Sequence, residues 1–353
     1  MKLDNGFKMS LSQNLYFIRG VAIVFVVAGH VIGYNRNYGM RQFYNSDLSI
    51  LGWICDFINT FHMPVFFMAS GIAFAIFSNK DISYVKFVRS KLEKLLIPLI
   101  CWSPIYFAFQ ALYKGYSFSL LDLIKSIIYP YEIFWFIHVL IFATILSFLS
   151  FKLFKSQLIY FGVSILLFII CTYLKNDLIY WYWHWNIFYA FGVFLGNYLY
   201  KIRLKIESLP LSVILLIGSS CLTIMLIARY FLDLSSNGFD FLRLINGPTA
   251  FLLMYIMLNS GKKISFLPKT FNYLKQSFET HIIEFGKTSM VIYLFHGYFT
   301  RGTGIFVLKI FGRPEPILYF TLVTSMGVLG SVIIYKFLHN KNKIFMYSIG
   351  GSK

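Results

Sequence analysis

LYFIRGVAIVFVVAGHVIG, residues 15–33, is the stretch that decides the fold, because an apolar run of this length is typical of a membrane-spanning helix. Arg19 and His30 lie inside it. Ionisable side chains within a membrane helix are costly to bury and are usually functional. Eleven residues at about 100° each leave both side chains on nearly the same face, roughly 16 Å apart along the axis. One helix face therefore carries a fixed cation toward one membrane surface and a titratable imidazole toward the other.

The composition of the whole chain agrees with this first run. Of its 353 residues, 58% are hydrophobic and 13% are charged, against about 25% charged in soluble domains. This predicts a polytopic membrane protein of the all-α class. In a soluble protein the formal charge of +18 would suggest nucleic acid, but the positive-inside rule explains most of it here. We therefore expect a lipid bilayer, and no nucleic acid, as a partner.

The hydropathy pattern predicts a bundle of about ten transmembrane helices, forming a single integral membrane domain over residues 1–353. The Lys and Arg residues concentrate in the N-terminus, in the loops after spans two, four, six and eight, and in the C-terminal tail. Both termini are therefore predicted to be cytoplasmic, with Arg19 near the cytoplasmic face and His30 near the outer face. The predicted spans are 15–33, 54–77, 95–113, 133–151, 157–174, 178–200, 211–229, 241–258, 287–310 and 316–338.

Further histidines fall in the predicted spans, at outer or central depth. His62 lies in an otherwise apolar run and is a functional candidate, as is His30. His138 and His184 lie in aromatic stretches that resemble an interfacial belt, which favours a structural role. No HxxxH, HxH or CxxC spacing is present. We therefore predict no metal site and no disulfide framework.

A basic segment precedes the third span. It carries Arg89, Lys91 and Lys94 immediately before LLIPLICW. These residues could simply anchor the chain at the cytoplasmic surface. Alternatively, their guanidinium and ammonium groups could bind a polyphosphate ligand at the membrane face.

Five segments together resemble the membrane acyltransferase-3 family, and the FHMP form is similar to its sugar O-acetylase branch. They occur in the family's order, from residue 18 to residue 298. Each pattern is weak alone, but the set is specific. The segments are IRGVAIVFVVAGH (18–30), FHMPVFFMASGIAF (61–74), VRSKLEKLLIPLICW (88–102), FWFIHVLIFATIL (134–146) and GKTSMVIYLFHGY (286–298).

The resemblance implies transfer of an acyl group, usually acetyl, from cytoplasmic acyl-CoA to a hydroxyl of an extracytoplasmic or lipid-linked glycan. His30 matches the family's essential histidine, as general base or transient acyl carrier, and Arg19 matches the essential arginine that contacts the donor. The family often has arginines where Lys91 and Lys94 stand. Positions that match lesser motifs and are expected to line the acyl path are His62, Trp135, Tyr293 and His296.

Two alternatives remain open from the sequence. A transporter or flippase of a glycan or lipid would also have many spans and buried ionisable groups, although such proteins usually show internal repeats, and none is visible here. A non-catalytic assembly or sensing protein would give no reason for the five segments to occur together. The Lys-, Asn-, Ile- and Phe-rich usage suggests an AT-rich bacterium, and hence the cytoplasmic (inner) membrane with envelope polysaccharide modification. The oligomeric state is not predicted.

Overall fold

The chain is seen in a computed structural model that describes residues 4–34, 38–44, 49–79, 81–174, 177–207, 236–259, 269–339 and 341–351, with scattered positions between 209 and 223. Throughout these residues the regular structure is helical, as predicted. Two short 3₁₀ helices span Gly39–Gln42 and Glu132–Phe134. The α-helices are α1 (Asn5–Ile32), α2 (Ser49–Asn59), α3 (His62–Phe77), α4 (Tyr84–Lys114), α5 (Leu120–Ile128), α6 (Trp135–Phe154), α7 (Gln157–Leu174), α8 (Asp177–Glu207), α9 (Ser236–Asn259), α10 (Lys269–Lys287), α11 (Ser289–Phe311), α12 (Pro316–Leu338) and α13 (Lys343–Ser348).

Nine of the ten predicted runs coincide with helical segments, and the run 211–229 lies outside the described residues except at scattered positions. The first helix begins ten residues earlier than the apolar run. Its N-cap is Asp4, whose carboxylate accepts hydrogen bonds from the backbone N–H groups of Gly6 and Phe7, both at 3.3 Å. Phe7 and Leu11 are buried along this extension. The polar residues between them therefore belong to an amphipathic turn rather than to a linker.

The second predicted span, 54–77, lies within the membrane-compatible segment Ile50–Phe77, but this segment is not one continuous helix. The structure ends α2 at Asn59 and begins α3 at His62. Pro64 has no backbone N–H, so the carbonyl of Thr60 lacks its i+4 donor. Just before Pro64, the N–H groups of Thr60 and Phe61 donate hydrogen bonds of 3.1 Å to the carbonyls of Phe57 and Ile58. These are i→i−3 bonds, as in a 3₁₀ turn. The FHMP segment therefore lies where the helix is interrupted, between α2 and α3.

Among the residues that the structure describes, six helical segments are long and apolar enough to cross a membrane. They correspond to α1, α2 with α3, α4, α5 with α6, α7, and α12. Helix α7 exposes Leu158, Leu166 and Ile170 on its surface. Such an apolar surface is expected to be covered by lipid or by protein. Membrane crossing by α8, α9 and α11 stays a prediction. These helices mix aromatic and charged side chains into their apolar runs.

The described chain divides into two compact units. The first comprises Met1–Ser78, Phe188–Ser289 and Glu315–Phe320. Within it α1 packs against α3 and α10. Glycines set the closest approaches: a Cβ on Gly20 would meet the carbonyl of Ile282, and one on Gly286 would meet the carbonyl of Tyr16. These two positions let α1 and α10 lie backbone to backbone.

The second unit comprises Asn79–Ile187, Met290–Pro314 and Thr321–Lys353. Helix α4 packs against α5 and α6 in it. The rings of Phe87 and Phe148 stack with centroids 3.8 Å apart. Near the chain end, Trp102 Nε1 donates a hydrogen bond of 3.1 Å to the carbonyl of Ser348, which fixes α13 against α4.

Replacing Gly286 by Ala is expected to destabilise the protein by about 1–3 kcal/mol, because the added methyl would push against main chain that cannot rotate away. The matched control is Gly162→Ala in α7, where a Cβ meets nothing within 4 Å. That change should be neutral or stabilise by about 0.5–1 kcal/mol through helix propensity. Thermal unfolding of both variants in detergent tests this, and equal effects at the two positions would contradict the close packing of α1 on α10.

Candidate active site

Arg19 reaches from α1 to two other elements of the first unit. Its Nη2 donates a hydrogen bond of 3.0 Å to the hydroxyl of Ser289, the first residue of α11. Its guanidinium carbon lies 5.1 Å from the centroid of the Phe66 ring in α3. These contacts connect the segments 18–30, 61–74 and 286–298, which the sequence identified separately. Gly20, beside Arg19, lets α1 approach Ile282 of α10, seven residues before Ser289 in the chain.

The charge of Arg19 is not balanced by an acidic side chain. No carboxylate lies within ion-pair distance of it among the described residues, and its Nε is buried without a hydrogen-bond partner there. Ser289 is fully buried and supplies only a neutral hydroxyl. An arginine held in this way can stabilise a negatively charged ligand or a developing negative charge.

His30 lies in the last turn of α1 and is half-buried. Its ring meets that of Tyr34 edge to face, with centroids 6.2 Å apart. Helix α1 stops at Gly33, whose φ of +88° favours glycine. The chain then places Tyr38 on Tyr34, with stacked rings 4.9 Å apart. His30 thus lies beside an aromatic cluster at the C-terminal end of α1, eleven residues beyond Arg19, which lies near the middle of the helix.

Residues 38–44 are fastened to this end of α1. Arg41 makes an ion pair of 3.1 Å with Asp56 of α2, and both side chains are only 15% exposed. Arg41 also donates to the carbonyl of Gly52 at 3.3 Å. Cys55, which is buried and free, lies against the carbonyls of Gly29 and Gly33 at 3.7 and 3.5 Å. Contacts among the end of α1, residues 38–44 and α2 therefore hold the surroundings of His30 in place.

His62 lies at the α2–α3 interruption. Its Nδ1 lies 2.6 Å from the carbonyl of Ile58. Arg243 of α9 donates through Nε to the carbonyl of Asn59 at 3.2 Å, and Asn246 donates to the Thr60 hydroxyl at 3.1 Å. The interruption thus collects a histidine, an arginine and an amide in the first unit.

The sequence reasoning did not identify Arg243. An arginine inside the predicted span 241–258 was the available signal, by the same logic that selected Arg19.

Three predicted path residues lie in the second unit. Trp135 begins α6 and packs against Trp181 and Trp185, with centroids 5.3 and 4.9 Å away. Tyr293 is buried and packs on Phe136 at 5.1 Å. His296 is completely buried one turn farther along α11, with Nδ1 2.8 Å from the carbonyl of Tyr293. The structure therefore brings Tyr293 and His296 together on one helix.

His138 has the arrangement expected of a structural histidine. Its Nδ1 lies 3.0 Å from the carbonyl of Phe134, and its Nε2 lies 2.9 Å from that of Ile127. Both ring nitrogens face backbone carbonyls, so the ring ties α5 to the start of α6.

The basic segment is split across the surface of α4. Arg89 is exposed and pairs with Glu93 at 3.0 Å. Lys91 instead lies 5.4 Å from the centroid of the Phe87 ring and close enough to Lys94 for their charges to interact. Lys91 and Lys94 are therefore neighbours on α4. Arg89 instead forms an ion pair with Glu93 of the same helix.

No group of three or more His, Cys, Asp or Glu side chains that could hold a metal ion occurs in the part of the chain that the structure describes. Cys55, Cys101 and Cys171 are free thiols there, and Cys221 lies outside the described residues.

Comparison with known proteins adds one finding. A family model described as an acyltransferase domain, of the acyltransferase-3 type, matches residues 13–336, nearly the whole chain. Neither a curated protein nor a solved structure matches the chain.

Proposed function

Because the chain belongs to the acyltransferase-3 family and has several membrane-compatible helices, we propose that it is a multi-pass membrane enzyme that moves an acetyl group from cytoplasmic acetyl-CoA to a hydroxyl of a cell-surface or lipid-linked glycan. Its place would be the inner membrane of a bacterium, with the glycan presented from the outer side. The donor and the acceptor are the substrates, and the reaction needs no metal.

The observation that carries this proposal is the state of Arg19. It is a largely buried cation with a single neutral hydrogen-bond partner, Ser289, and no carboxylate in range among the described residues. Burying such a charge is costly unless a ligand completes its surroundings. The CoA end of the donor carries phosphates, which would supply the missing negative charge.

His30 supplies the proton chemistry in this proposal. As general base it takes the proton of the acceptor hydroxyl, whose oxygen attacks the thioester carbonyl. The C–S bond then breaks, and the CoA sulfur leaves with the electron pair and receives the proton from the imidazolium. As acyl carrier, the imidazole nitrogen attacks the thioester carbonyl, the C–S bond breaks, and the CoA sulfur leaves as a thiolate. The acceptor hydroxyl then attacks the acyl carbon, displaces the neutral imidazole and gives its proton to the thiolate.

The length of α1 sets the main requirement of either route. Arg19 and His30 are eleven residues, or roughly 16 Å, apart along the helix. The pantetheine arm of CoA can cover such a distance while its phosphates stay at the cytoplasmic side. We propose that the residues matching the family's lesser motifs, His62 in the first unit and Trp135, Tyr293 and His296 in the second, contact the acyl group during transfer.

Addition of CoA is expected to raise the thermal unfolding temperature of the purified protein, because a ligand that binds only the folded state stabilises it by mass action. A transporter or flippase of a glycan should show no such shift. Absence of a shift at millimolar CoA would favour the transporter.

The basic cluster gives a graded test of donor binding. Lys91→Ala and Lys94→Ala should each raise the KM for acetyl-CoA about five-fold, as expected for losing a phosphate contact worth about 1 kcal/mol. Arg89→Ala is the matched control. It should change KM less than about two-fold, because its guanidinium is already paired with Glu93. Steady-state kinetics on the three variants checks the order, and a larger effect at Arg89 would overturn it.

A further inference from the structure

A second arginine lies deep in a helix and was not selected from the sequence. Arg301 lies within α11, ten residues before its end at Phe311. It hydrogen-bonds through Nη1 to the Oε1 of Gln110 in α4. Its guanidinium carbon lies 6.0 Å from the Tyr106 ring centroid and 5.8 Å from that of Tyr113. All four residues belong to the second unit.

The surroundings of Arg301 stabilise its charge without neutralising it. A primary amide and two phenol rings carry no net charge, and ring contacts near 6 Å are at the outer limit of a cation–π interaction. Glu132 acts electrostatically on Tyr106, but it makes no ion pair with Arg301, nor does any other carboxylate among the described residues. The surroundings of Arg301 therefore keep a net positive charge.

The side-chain amide of Gln110 is a second donor beside Arg301. Gln110 is 2% exposed, and its Nε2 is buried with no hydrogen-bond partner in the described part of the chain. The Tyr106 ring packs beside the same guanidinium, whose carbon lies 6.0 Å from the ring centroid. Gly297 makes room for this ring, because a Cβ there would lie 2.7 Å from its hydroxyl oxygen. One charged and two neutral donors thus converge.

We propose that Arg301, Gln110 and Tyr106 form a binding site for an oxyanion, a phosphate or a carboxylate, on the acceptor side of the enzyme. The site rests on the proposed function, since it identifies the acceptor as an anionic glycan or a phosphate-linked one. Guanidinium and amide N–H groups that converge in this way suit such a group.

The position along the helices indicates the side of the membrane from which this site is reached. Gln110 is four residues, or roughly 6 Å, from the end of α4, and Arg301 is roughly 15 Å from the end of α11. In the predicted orientation both ends face outward, so an anion reaching Arg301 comes from the acceptor side. Arg19 lies toward the cytoplasm in the same orientation and serves the donor.

The test measures anion binding by the full-length protein in phosphatidylcholine nanodiscs, with CoA saturating so that the donor site is filled. Inorganic pyrophosphate probes a phosphate group and glucuronate a carboxylate. Nanodiscs with added phosphatidylglycerol probe a lipid headgroup. At least one probe should bind the wild type and bind Arg301→Gln about ten-fold more weakly, as expected for losing a charge-assisted hydrogen bond. The probe affected identifies the source of the anion.

Arg313→Gln is the matched control, because it removes the same charge from an exposed position just beyond the end of α11. Equal affinities of wild type and Arg301→Gln for all three probes would overturn the site, as would an equal loss in Arg313→Gln. If Arg301→Gln does not fold, Arg301→Lys decides, with a predicted loss of at least about three-fold and unchanged CoA binding. None of these readings requires acyl transfer, so they stand even if the proposed activity fails.

Discussion

His30→Ala is expected to lower the rate of acyl transfer by a factor of about 10²–10⁴, the usual contribution of a positioned acid–base group. The half-buried ring at the end of α1 is the general base or the acyl carrier in the proposed reaction, and alanine can do neither. Binding of CoA should be unchanged, because the donor phosphates are assigned to Arg19, eleven residues away along the helix. Rates of acetyl transfer and CoA-induced thermal shifts, measured on the same preparation, separate the two effects.

The matched control for this variant is His281→Ala. His281 is exposed on α10, and its Nδ1 lies 2.7 Å from the Ser277 carbonyl of its own helix. Removing it deletes an imidazole without touching the surroundings of His30. Undiminished transfer by well-folded His30→Ala would sink the mechanism, even if the protein proved to be an acyltransferase.

Arg19→Gln should lower kcat/KM for acetyl-CoA about 100-fold or more, because it removes the cation that faces the donor. Ser289→Ala should cost only a few-fold, since Ser289 orients the guanidinium through one hydrogen bond of 3.0 Å. The double variant should be no worse than Arg19→Gln alone, because the hydroxyl acts only through the arginine.

Ser331→Ala controls for loss of a buried serine. Its hydroxyl is also fully buried but bonds only to the carbonyl of Gly327 within α12, at 2.7 Å. This variant should keep wild-type kinetics. Additive losses from Arg19 and Ser289 would show that the hydroxyl works independently, and the link between the segments 18–30 and 286–298 would then lose its functional meaning.

The helices were predictable where a single apolar run is bounded by strong breakers. The spans 157–174 and 316–338 match α7 and α12 residue for residue, since a short polar turn or Pro316 bounds each. Where amphipathic turns continue a helix, the apolar run marks its start too late. Helix α4 begins at Tyr84, capped by the Ser83 hydroxyl, rather than at residue 95.

The site was predictable only as far as residues on one helix can show. The Arg19–His30 pair follows from helical periodicity alone. Arg243 and Arg301 take their meaning from partners 184 and 191 residues away, Asn59 and Gln110, and no local pattern announces such contacts. The interruption before His62 likewise depends on two groups. Pro64 removes a backbone N–H donor, and Arg243, from a distant helix, donates to the carbonyl of Asn59. The second contact is visible only in the tertiary structure.

Mass spectrometry of surface glycans tests the central claim most directly. Cells lacking the protein would be complemented with wild type, His30→Ala or His281→Ala at matched membrane levels. We expect O-acetylated glycan with wild type and His281→Ala, and none above the empty-vector background with His30→Ala. Glycans that are identical in all four strains, or that are acetylated equally by His30→Ala, would contradict the account.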